Sequence, residues 1–211
     1  LTAGQENSFA QTRSFTTLLL ATLYLGALRG QRQDILDGLA LLPNAADNVL
    51  MRYYELARRY ATDSLLDRFY LLGSGPRYGL ACELSLKMKE MSLSHSEPFH
   101  VLEFRHGPPS MLTPSTLIVG LISETNRSTE MAVLDDMRTR GAQILVIAES
   151  DREVSLESGV AEIARSPLYL LVGQMLAFEH ALHRQLDPDR PNNLDAVVRL
   201  RRPDSTAETR T

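Results

Sequence analysis

The sequence is poor in the residues that build disulfide-linked, metal-binding and nucleic-acid-binding proteins. It has one cysteine, Cys82, in 211 residues, and no tryptophan. A single cysteine excludes an internal disulfide and a CxxC zinc or redox motif, which fits a reducing compartment, so we expect a cytoplasmic protein. The 22 Lys and Arg residues do not outnumber the 26 Asp and Glu residues. Since nucleic-acid binding requires a basic surface and favours aromatic platforms, we expect no nucleic-acid partner.

Long hydrophobic runs are also missing. The most apolar stretch, residues 14–28, contains Ser and Thr and is shorter than the roughly 20 apolar residues that span a bilayer. We predict a buried helix for this stretch and no membrane partner. Because no charged segment precedes it, we also expect no signal peptide.

Helical periodicity dominates the first third of the chain. Apolar residues at helical spacing predict helices over 12–28, 32–42 and 44–61. The break between the second and third helices is predicted at Pro43, because proline cannot donate a helical hydrogen bond. The first third is therefore expected to contain no strand.

The rest of the chain alternates between strands and helices. A β-prone run over 68–72 stops at a glycine turn and leads into a helical segment over 78–93, which is the opening of a βαβ unit. The pattern predicts an α/β fold with a parallel sheet in three α/β/α layers, preceded by helices. The further predicted elements are strands over 99–104, 115–122 and 143–148 and helices over 129–140 and 167–186.

Charged residues recur along one face of the predicted helix over 78–93. Glu83, Lys87 and Glu90 lie at positions i, i+4 and i+7, beside an apolar face. One interpretation is a solvated ladder of salt bridges. The other is a functional site, because the helix follows a glycine turn and open α/β sheets bind ligands near the C-terminal ends of their strands. Spacing alone leaves both interpretations open.

The histidines offer a proton-transfer group but no metal site. His95, His100 and His106 are five and six residues apart, which matches no helical ligand pair, so no metal is predicted. His106 stands in a rigid His-Gly-Pro-Pro turn, where an imidazole could transfer protons near neutral pH or remain an exposed spectator. His180 and His183 lack an HExxH motif and are assigned to helix packing.

The glycine turn does not complete a cofactor motif. Gly73 and Gly75 are followed by Gly79, one residue later than the dinucleotide-binding fingerprint requires. We therefore predict no nicotinamide cofactor and no other cofactor.

Polar residues cluster at the predicted start of the first helix. Gln11, Thr12 and Ser14 lie where a helix N-terminus favours an anion or sugar hydroxyls. Helix capping by Thr12 or Ser14 accounts for one of these residues and leaves the others for a ligand.

Four segments carry motifs that occur together in one protein family. The segments are Gly4-Gln5-Glu6 with Ala10-Gln11-Thr12-Arg13-Ser14-Phe15-Thr16, Glu83-Leu84-Ser85-Leu86-Lys87-Met88-Lys89-Glu90, Glu103-Phe104-Arg105-His106-Gly107-Pro108, and Asp189-Arg190-Pro191-Asn192-Asn193-Leu194. In this order they resemble the sugar isomerase (SIS) family, and most of all the isomerase half of glucosamine-6-phosphate synthase and related phosphosugar isomerases and deaminases. The resemblance covers nearly all of residues 4–200 and implies a flavodoxin-like SIS fold.

The resemblance also implies an activity and a set of site residues. Glu90 would be the base that moves a proton between C1 and C2 of a sugar phosphate through an enediol or enolamine. His106 would assist ring opening from a neighbouring subunit, so a homodimer is expected, and Lys87 would steady the sugar oxygens or the charge of the intermediate. The substrate-binding residues that the resemblance implies are Glu83, Gln11, Thr12 and Ser14.

The same resemblance divides the chain. It assigns residues 1–31 to the end of a first SIS module, 32–65 to connecting helices, 66–200 to an SIS domain and 201–211 to a disordered tail. The family's imine-forming lysine position holds Ala196, which speaks against imine chemistry with a ketose. Three hypotheses stay open: an isomerase or amino-sugar phosphate deaminase, a sugar-phosphate-binding module without chemistry, and a structural dimerisation fragment.

Overall fold

Two helices form the first third of the molecule. In the computed structural model, which describes residues 4–194, they are α1 (Arg13–Arg29) and α2 (Gln33–Ala61). The break predicted at Pro43 is wrong, because α2 continues through this residue. Proline removes one helical hydrogen bond, and the apolar face of α2 around Val49 offsets that loss by packing into the core.

α1 lies at the surface, so the prediction of a buried helix is wrong. Ala27 is its one buried residue, whereas Leu18 and Leu25 are exposed. Phe15 and Leu19 pack partly against the core. Within the described part of the chain, α1 therefore presents apolar side chains both to the core and to solvent.

The second part of the chain builds a parallel sheet. Its elements are β1 (Arg68–Gly73), α3 (Pro76–Ser92), β2 (His95–Phe99), β3 (Thr116–Leu121), α4 (Arg127–Thr139), β4 (Gln143–Ala148), β5 (Val154–Ser155) and α5 (Leu168–His183). Within residues 4–194 the five strands pair in the order β2-β1-β3-β4-β5, and every pair is parallel. This is the flavodoxin-like order, in which the winding of the chain reverses between β1 and β3. The predicted α/β class is confirmed.

Two hydrophobic cores, one on each face of the sheet, give the fold three layers. On one face α2, α3 and α5 pack against the sheet through side chains such as Phe69 and Leu84. On the other face α4 and the segment after β2 pack through side chains such as Leu134 and Phe104. The predicted three-layer architecture is therefore confirmed.

β2 lies earlier in the chain than predicted. The strand is His95–Phe99, whereas a strand was predicted over 99–104, and Phe104 belongs to a short 3-10 helix. β2 is a polar edge strand that contains Pro98, which is tolerated because an edge strand pairs on one side only. The apolar character of 99–104 has another cause, since Val101 and Phe104 enter the second core from a turn.

The other predicted elements agree with the structure within three residues at each end. β5, which is two residues long, was not predicted. No helix within residues 4–194 is long and apolar enough to cross a membrane. The predicted tail over 201–211, the last residues of the predicted SIS domain and Ala196 lie outside the described residues.

Candidate functional site

α3 begins immediately after β1, and two glycines make this turn possible. A Cβ atom on Gly73 would lie 2.4 Å from the carbonyl oxygen of Arg77, and Gly75 has a φ of 57°. Other residues would be strained at both positions. The turn brings the start of α3 to the C-terminal edge of the sheet, where open α/β folds bind their ligands.

Glu83, Lys87 and Glu90 form an ion-pair cluster on α3. Lys87 Nζ lies 2.6 Å from Glu90 Oε2 and 3.5 Å from Glu83 Oε1. The side chains of Glu83 and Lys87 are 7% and 3% exposed, so the interpretation as a solvated ladder of salt bridges is wrong. The side chain of Glu90 is 20% exposed, and it is the carboxylate of this cluster that a ligand reaches most readily.

Burial raises the pKa of Glu83 to about 7. Loss of water around the carboxylate is the largest cause. The positive charge of Lys87 lowers this pKa, and the negative charges of Glu90 and Glu6 raise it. Glu83 Oε1 also has no hydrogen-bond partner among residues 4–194. The carboxyl group therefore gains or loses its proton near neutral pH, beside the Lys87–Glu90 pair.

Glu6 joins the N-terminal segment to the cluster on α3. Its carboxylate accepts hydrogen bonds from the backbone N–H groups of Arg13, at 3.2 Å, and Ser14, at 2.9 Å. Thr12 occupies the N-cap position of α1 without a capping hydrogen bond, so capping by Thr12 or Ser14 is a wrong prediction and Glu6 caps the helix. Because the charge of Glu6 also acts on Glu83, the start of α1 lies near the cluster.

A cavity of about 290 Å³ lies between the N-terminal segment, α3 and α5. Glu6 and Thr12 line it together with apolar side chains that include Met91, the residue after Glu90. Gln174 also lines it, and the buried amide Nε2 of this side chain has no hydrogen-bond partner in the described structure. The cavity thus offers both polar groups and apolar surface, as small-molecule sites do.

The predicted substrate-binding residues do not all lie together. Thr12 lines the cavity, and Glu83 belongs to the cluster on α3. Ser14 donates its hydroxyl hydrogen bond to the carbonyl oxygen of Gly4, at 2.9 Å, and does not line the cavity; Gln11 is exposed and does not line it either. Glu6 lines the cavity. The sequence feature that could have identified it is an acidic residue shortly before a helix whose first turn contains no acidic residue.

His106 lies in an exposed turn between two short 3-10 helices. Its backbone N–H donates to the carbonyl oxygen of Glu103, at 3.0 Å, and Gly107 supports the turn with a φ of 110°. Among residues 4–194 no hydrogen bond or ion pair joins His106 to Lys87 or Glu90. The turn therefore holds the imidazole at the surface, open to contact from outside this chain.

His180 is used in packing, whereas His183 is exposed, so the packing role predicted for His183 is wrong. His180 is buried on α5, where Nδ1 lies 2.7 Å from the carbonyl oxygen of Ala61 and the ring meets Phe69 edge to face. Burial lowers the pKa of His180, and its predicted packing role is confirmed. His100 stacks on Tyr78 with ring centroids 4.0 Å apart. In the described part of the chain, no group of three His, Cys, Asp or Glu side chains could hold a metal ion.

A curated relative covers nearly the whole chain. The glutamine–fructose-6-phosphate aminotransferase (isomerizing) of Xanthomonas campestris is 31% identical over 216 residues, which is 93% of this chain and 35% of the relative. The enzyme of the same name from Aeropyrum pernix is 30% identical over 220 residues. The chain thus spans 35% of the length of both relatives.

Solved structures share the fold over a similar extent. Glucosamine-6-phosphate deaminase from Thermotoga maritima is 25% identical, with a TM-score of 0.76 over 92% of this chain and 59% of its own. The C-terminal domain of glucosamine-fructose-6-phosphate aminotransferase from Francisella tularensis is 22% identical, with a TM-score of 0.73 over 90% of this chain and 59% of its own. Residues 66–180, more than half of the chain, match the SIS domain, and the protein therefore belongs to the SIS domain family.

Proposed function

We propose that the cluster on α3 transfers a proton between C1 and C2 of a sugar phosphate. The reaction would be aldose–ketose isomerisation or deamination of an amino-sugar phosphate. The observation that carries the proposal is the buried ammonium group of Lys87, which lies 2.6 Å from the partly exposed carboxylate of Glu90. Relatives named as a glucosamine-6-phosphate deaminase and as an isomerizing aminotransferase support this class of reaction.

Glu90 is suited to the role of the base. Removal of a proton from the carbon next to a carbonyl or imine group gives an enediol or enolamine, and the same carboxyl group can return the proton to the neighbouring carbon. Lys87 supplies a positive charge that stabilises negative charge developing on the oxygens of the intermediate. Since Lys87 is 3% exposed, little water screens this charge. These two groups perform the step without a cofactor.

Glu83 and the N-terminal segment would bind the substrate. A carboxyl group with a pKa of about 7 is partly protonated near neutral pH, so Glu83 can donate a hydrogen bond to a sugar oxygen as well as accept one. Thr12 lines the 290 Å³ cavity, and its hydroxyl group is proposed to contact the same ligand. Gln11 and Ser14 are proposed as weaker contributors, because neither lines this cavity.

His106 would act in the site of a second subunit. The imidazole is exposed and makes no hydrogen bond or ion pair with Lys87 or Glu90 in residues 4–194. Exposed apolar side chains, Leu102 and Met111, stand on both sides of it in the sequence, and side chains of this kind are common in interfaces. We therefore propose a homodimer in which His106 assists the opening of the sugar ring across the interface.

Hydrogen exchange in D₂O tests the proposed reaction. The protein is incubated with fructose 6-phosphate, glucosamine 6-phosphate or N-acetylglucosamine 6-phosphate, and proton NMR follows the signals at C1 and C2. We expect one of these signals to disappear for at least one substrate, since the enediol or enolamine step exchanges the transferred proton with solvent. Release of ammonium would identify deamination. A folded protein that exchanges no proton with any of the three would contradict the proposal.

A second candidate is a sugar-phosphate-binding module without chemistry. The observation in its favour is Ala196, which stands at the family's imine-forming lysine position. This candidate expects saturable thermal stabilisation by a hexose phosphate without exchange at C1 or C2. A melting temperature that no sugar phosphate changes would contradict it and would favour a structural dimerisation role.

A further inference from the structure

A second polar cavity, of about 340 Å³, lies between the turn from β1 to α3 and the turn from β3 to α4. These two strands are neighbours at the point where the winding of the sheet reverses. Open α/β sheets bind ligands at this point, outside the C-terminal ends of the strands. The cavity shares no lining residue with the 290 Å³ cavity, and neither Lys87 nor Glu90 lines it. Arg77, which lines it, precedes Lys87 by ten residues on α3, or about 15 Å along the helix, so this cavity is distinct from the proposed catalytic site.

Groups that bind anions converge on this cavity. α3 and α4 both begin at it, since Gly75 and Asn126, the residues that precede the two helices, line it. The dipole of a helix favours negative charge at its N-terminus. At α3 the contribution is the dipole alone, because the helix begins with Pro76 and the N–H groups of Arg77 and Tyr78 already donate to carbonyl oxygens. Arg77 also lines the cavity with 8% of its surface exposed, and its Nε has no hydrogen-bond partner in residues 4–194. A buried guanidinium group beside two helix N-termini is an environment suited to an oxyanion.

The carboxylate of Glu162 already lies among these groups. One of its oxygens accepts a hydrogen bond from Arg77 Nη1. The other accepts the backbone N–H of Glu124, at 3.2 Å. The two donors come from the two different turns that frame the cavity, and they are the kinds of donor that hold phosphate oxygens. Glu162 thus occupies the position that an anionic ligand would take.

The balance of charge explains why this carboxylate would exclude a further anion. Glu130, buried on α4, lies 3.7 Å from Arg77, and its other oxygen accepts two hydrogen bonds from Ser123. With Glu162 in place, one positive charge faces two negative charges, so another anion would be repelled. Without Glu162, the charges of Arg77 and Glu130 cancel and the donors on Arg77 and Glu124 become free.

We propose that Glu162 is a built-in ligand that closes an anion-binding cradle at the β1–β3 edge of this SIS domain. While the carboxylate is in place, the cradle takes no phosphate ester. Glu162 belongs to the turn segment before α5, and its side chain is 25% exposed, so it can leave the cradle without unpacking the core. Once it is removed, the ligand that fits is inorganic phosphate or a phosphate monoester.

The variant Glu162→Ala tests this proposal, with inorganic phosphate as the probe at constant ionic strength. The matched control is Glu153→Ala, which also removes a partly exposed carboxylate that is paired with an arginine, Arg138. We expect phosphate to raise the melting temperature of Glu162→Ala saturably, with an apparent Kd at least about tenfold below that of the wild type and of the control. Amide NMR signals of Gly75 and Glu124 should shift in the same titration.

Equal responses of the three proteins to phosphate would overturn the proposal. Shifts confined to residues around Lys87 would also overturn it, because the gain in binding would then arise at the catalytic cluster. If Glu162→Ala does not fold, Glu162→Ser is titrated instead, since it also withdraws the carboxylate from the cradle and keeps a short polar side chain at the surface. The same two outcomes then decide.

Discussion

A lysine with 3% of its side chain exposed requires compensation for the water it has lost, and Lys87 obtains it from two carboxylates. The distances show an unequal division, with Glu90 at 2.6 Å and Glu83 at 3.5 Å. Lys87 therefore holds Glu90 as its close partner and leaves Glu83 with a raised pKa. A partly exposed carboxylate beside a buried cation is the combination that enolisation requires.

Glu83 makes the stability of the protein depend on pH. The pKa of a glutamate in an unfolded chain is about 4.3, and the pKa of Glu83 in the folded chain is about 7. Between these values the folded state binds more protons than the unfolded state, so the contribution of Glu83 to the free energy of unfolding falls as the pH rises. Glu83→Gln lacks this contribution. In urea denaturation the variant should gain stability relative to the wild type between about pH 5 and about pH 8.

His180 gives a trend of the opposite sign. Its pKa is lowered by burial, so its contribution to stability is complete above the unfolded pKa of about 6.5 and is lost as the pH falls. The wild type and Glu83→Gln both contain His180. The difference between their free energies of unfolding is therefore free of this trend. A difference in stability that is the same at both pH values would contradict the assignment of the raised pKa to Glu83.

At the scale of elements, α3 is positioned by its close contact with α5. Gly173 on α5 faces Leu84 on α3, and a Cβ atom there would lie 2.7 Å from both Cδ atoms of Leu84. The contact side of α3 adjoins the side that carries Lys87 and Glu90, because residues 84, 88 and 91 follow 83, 87 and 90 around the helix. A shift of α3 away from α5 would therefore also move Lys87 and Glu90.

The variant Gly173→Ala tests this contact. We expect a loss of about 1 to 3 kcal/mol in the free energy of unfolding, because the added methyl group overpacks the core. The matched control is Gly26→Ala on α1, where a Cβ atom would meet nothing within 4 Å. That control should be neutral or stabilising by up to about 1 kcal/mol, as alanine is the better helix former. Equal urea midpoints for the two variants would contradict the close contact.

The sequence predicted those elements whose pattern matches their burial. β3 and β4 are apolar runs because both of their faces are covered, and α4 buries Met131, Leu134 and Met137, which recur at helical spacing. β2 was misplaced because an edge strand is polar, while an apolar turn behind it resembles a strand. The break at Pro43 was predicted from local rules, and tertiary packing of α2 overrode it.

The candidate site was predictable in part. Spacing placed Glu83, Lys87 and Glu90 on one helix, but burial separates a functional cluster from a surface ladder, and no single helix pattern reports it. The contact of Glu6 with the start of α1 joins residues seven and eight positions apart through a loop, which periodicity does not detect. The motif resemblance supplied the roles of Glu90 and His106, which remain proposals.

At the scale of the whole molecule, the division of the chain also remains a proposal. Residues 1–31 are proposed as the end of a first SIS module, and 32–65 as connecting helices before an SIS domain over 66–200. The exposed apolar side chains of α1, such as Leu18 and Leu25, support a neighbouring module or subunit. α2 is more than a connector, since its apolar face shares one core with α3 and α5.

The proposed dimer predicts complementation between two inactive variants. If Glu90 and His106 of different subunits form each site, Glu90→Gln and His106→Asn should each lack activity and should regain it when their subunits exchange. Random mixing makes half of the dimers mixed, with one of two sites intact, so about one quarter of the wild-type activity is expected. Sedimentation provides the control for assembly. Dimers that exchange subunits without regaining activity would contradict a site shared between subunits.

The central claim is that Glu90 is the base, and exchange of the C1 or C2 proton in D₂O by Glu90→Gln tests it most directly. The matched control is Glu55→Gln, which removes an exposed carboxylate from an i,i+3 ion pair with Arg58. We expect Glu90→Gln to bind the sugar phosphate, as judged by thermal stabilisation, and to lose exchange by at least about a hundredfold, which is the usual contribution of a positioned base. The control should exchange like the wild type. Exchange by Glu90→Gln at the wild-type rate would contradict the account.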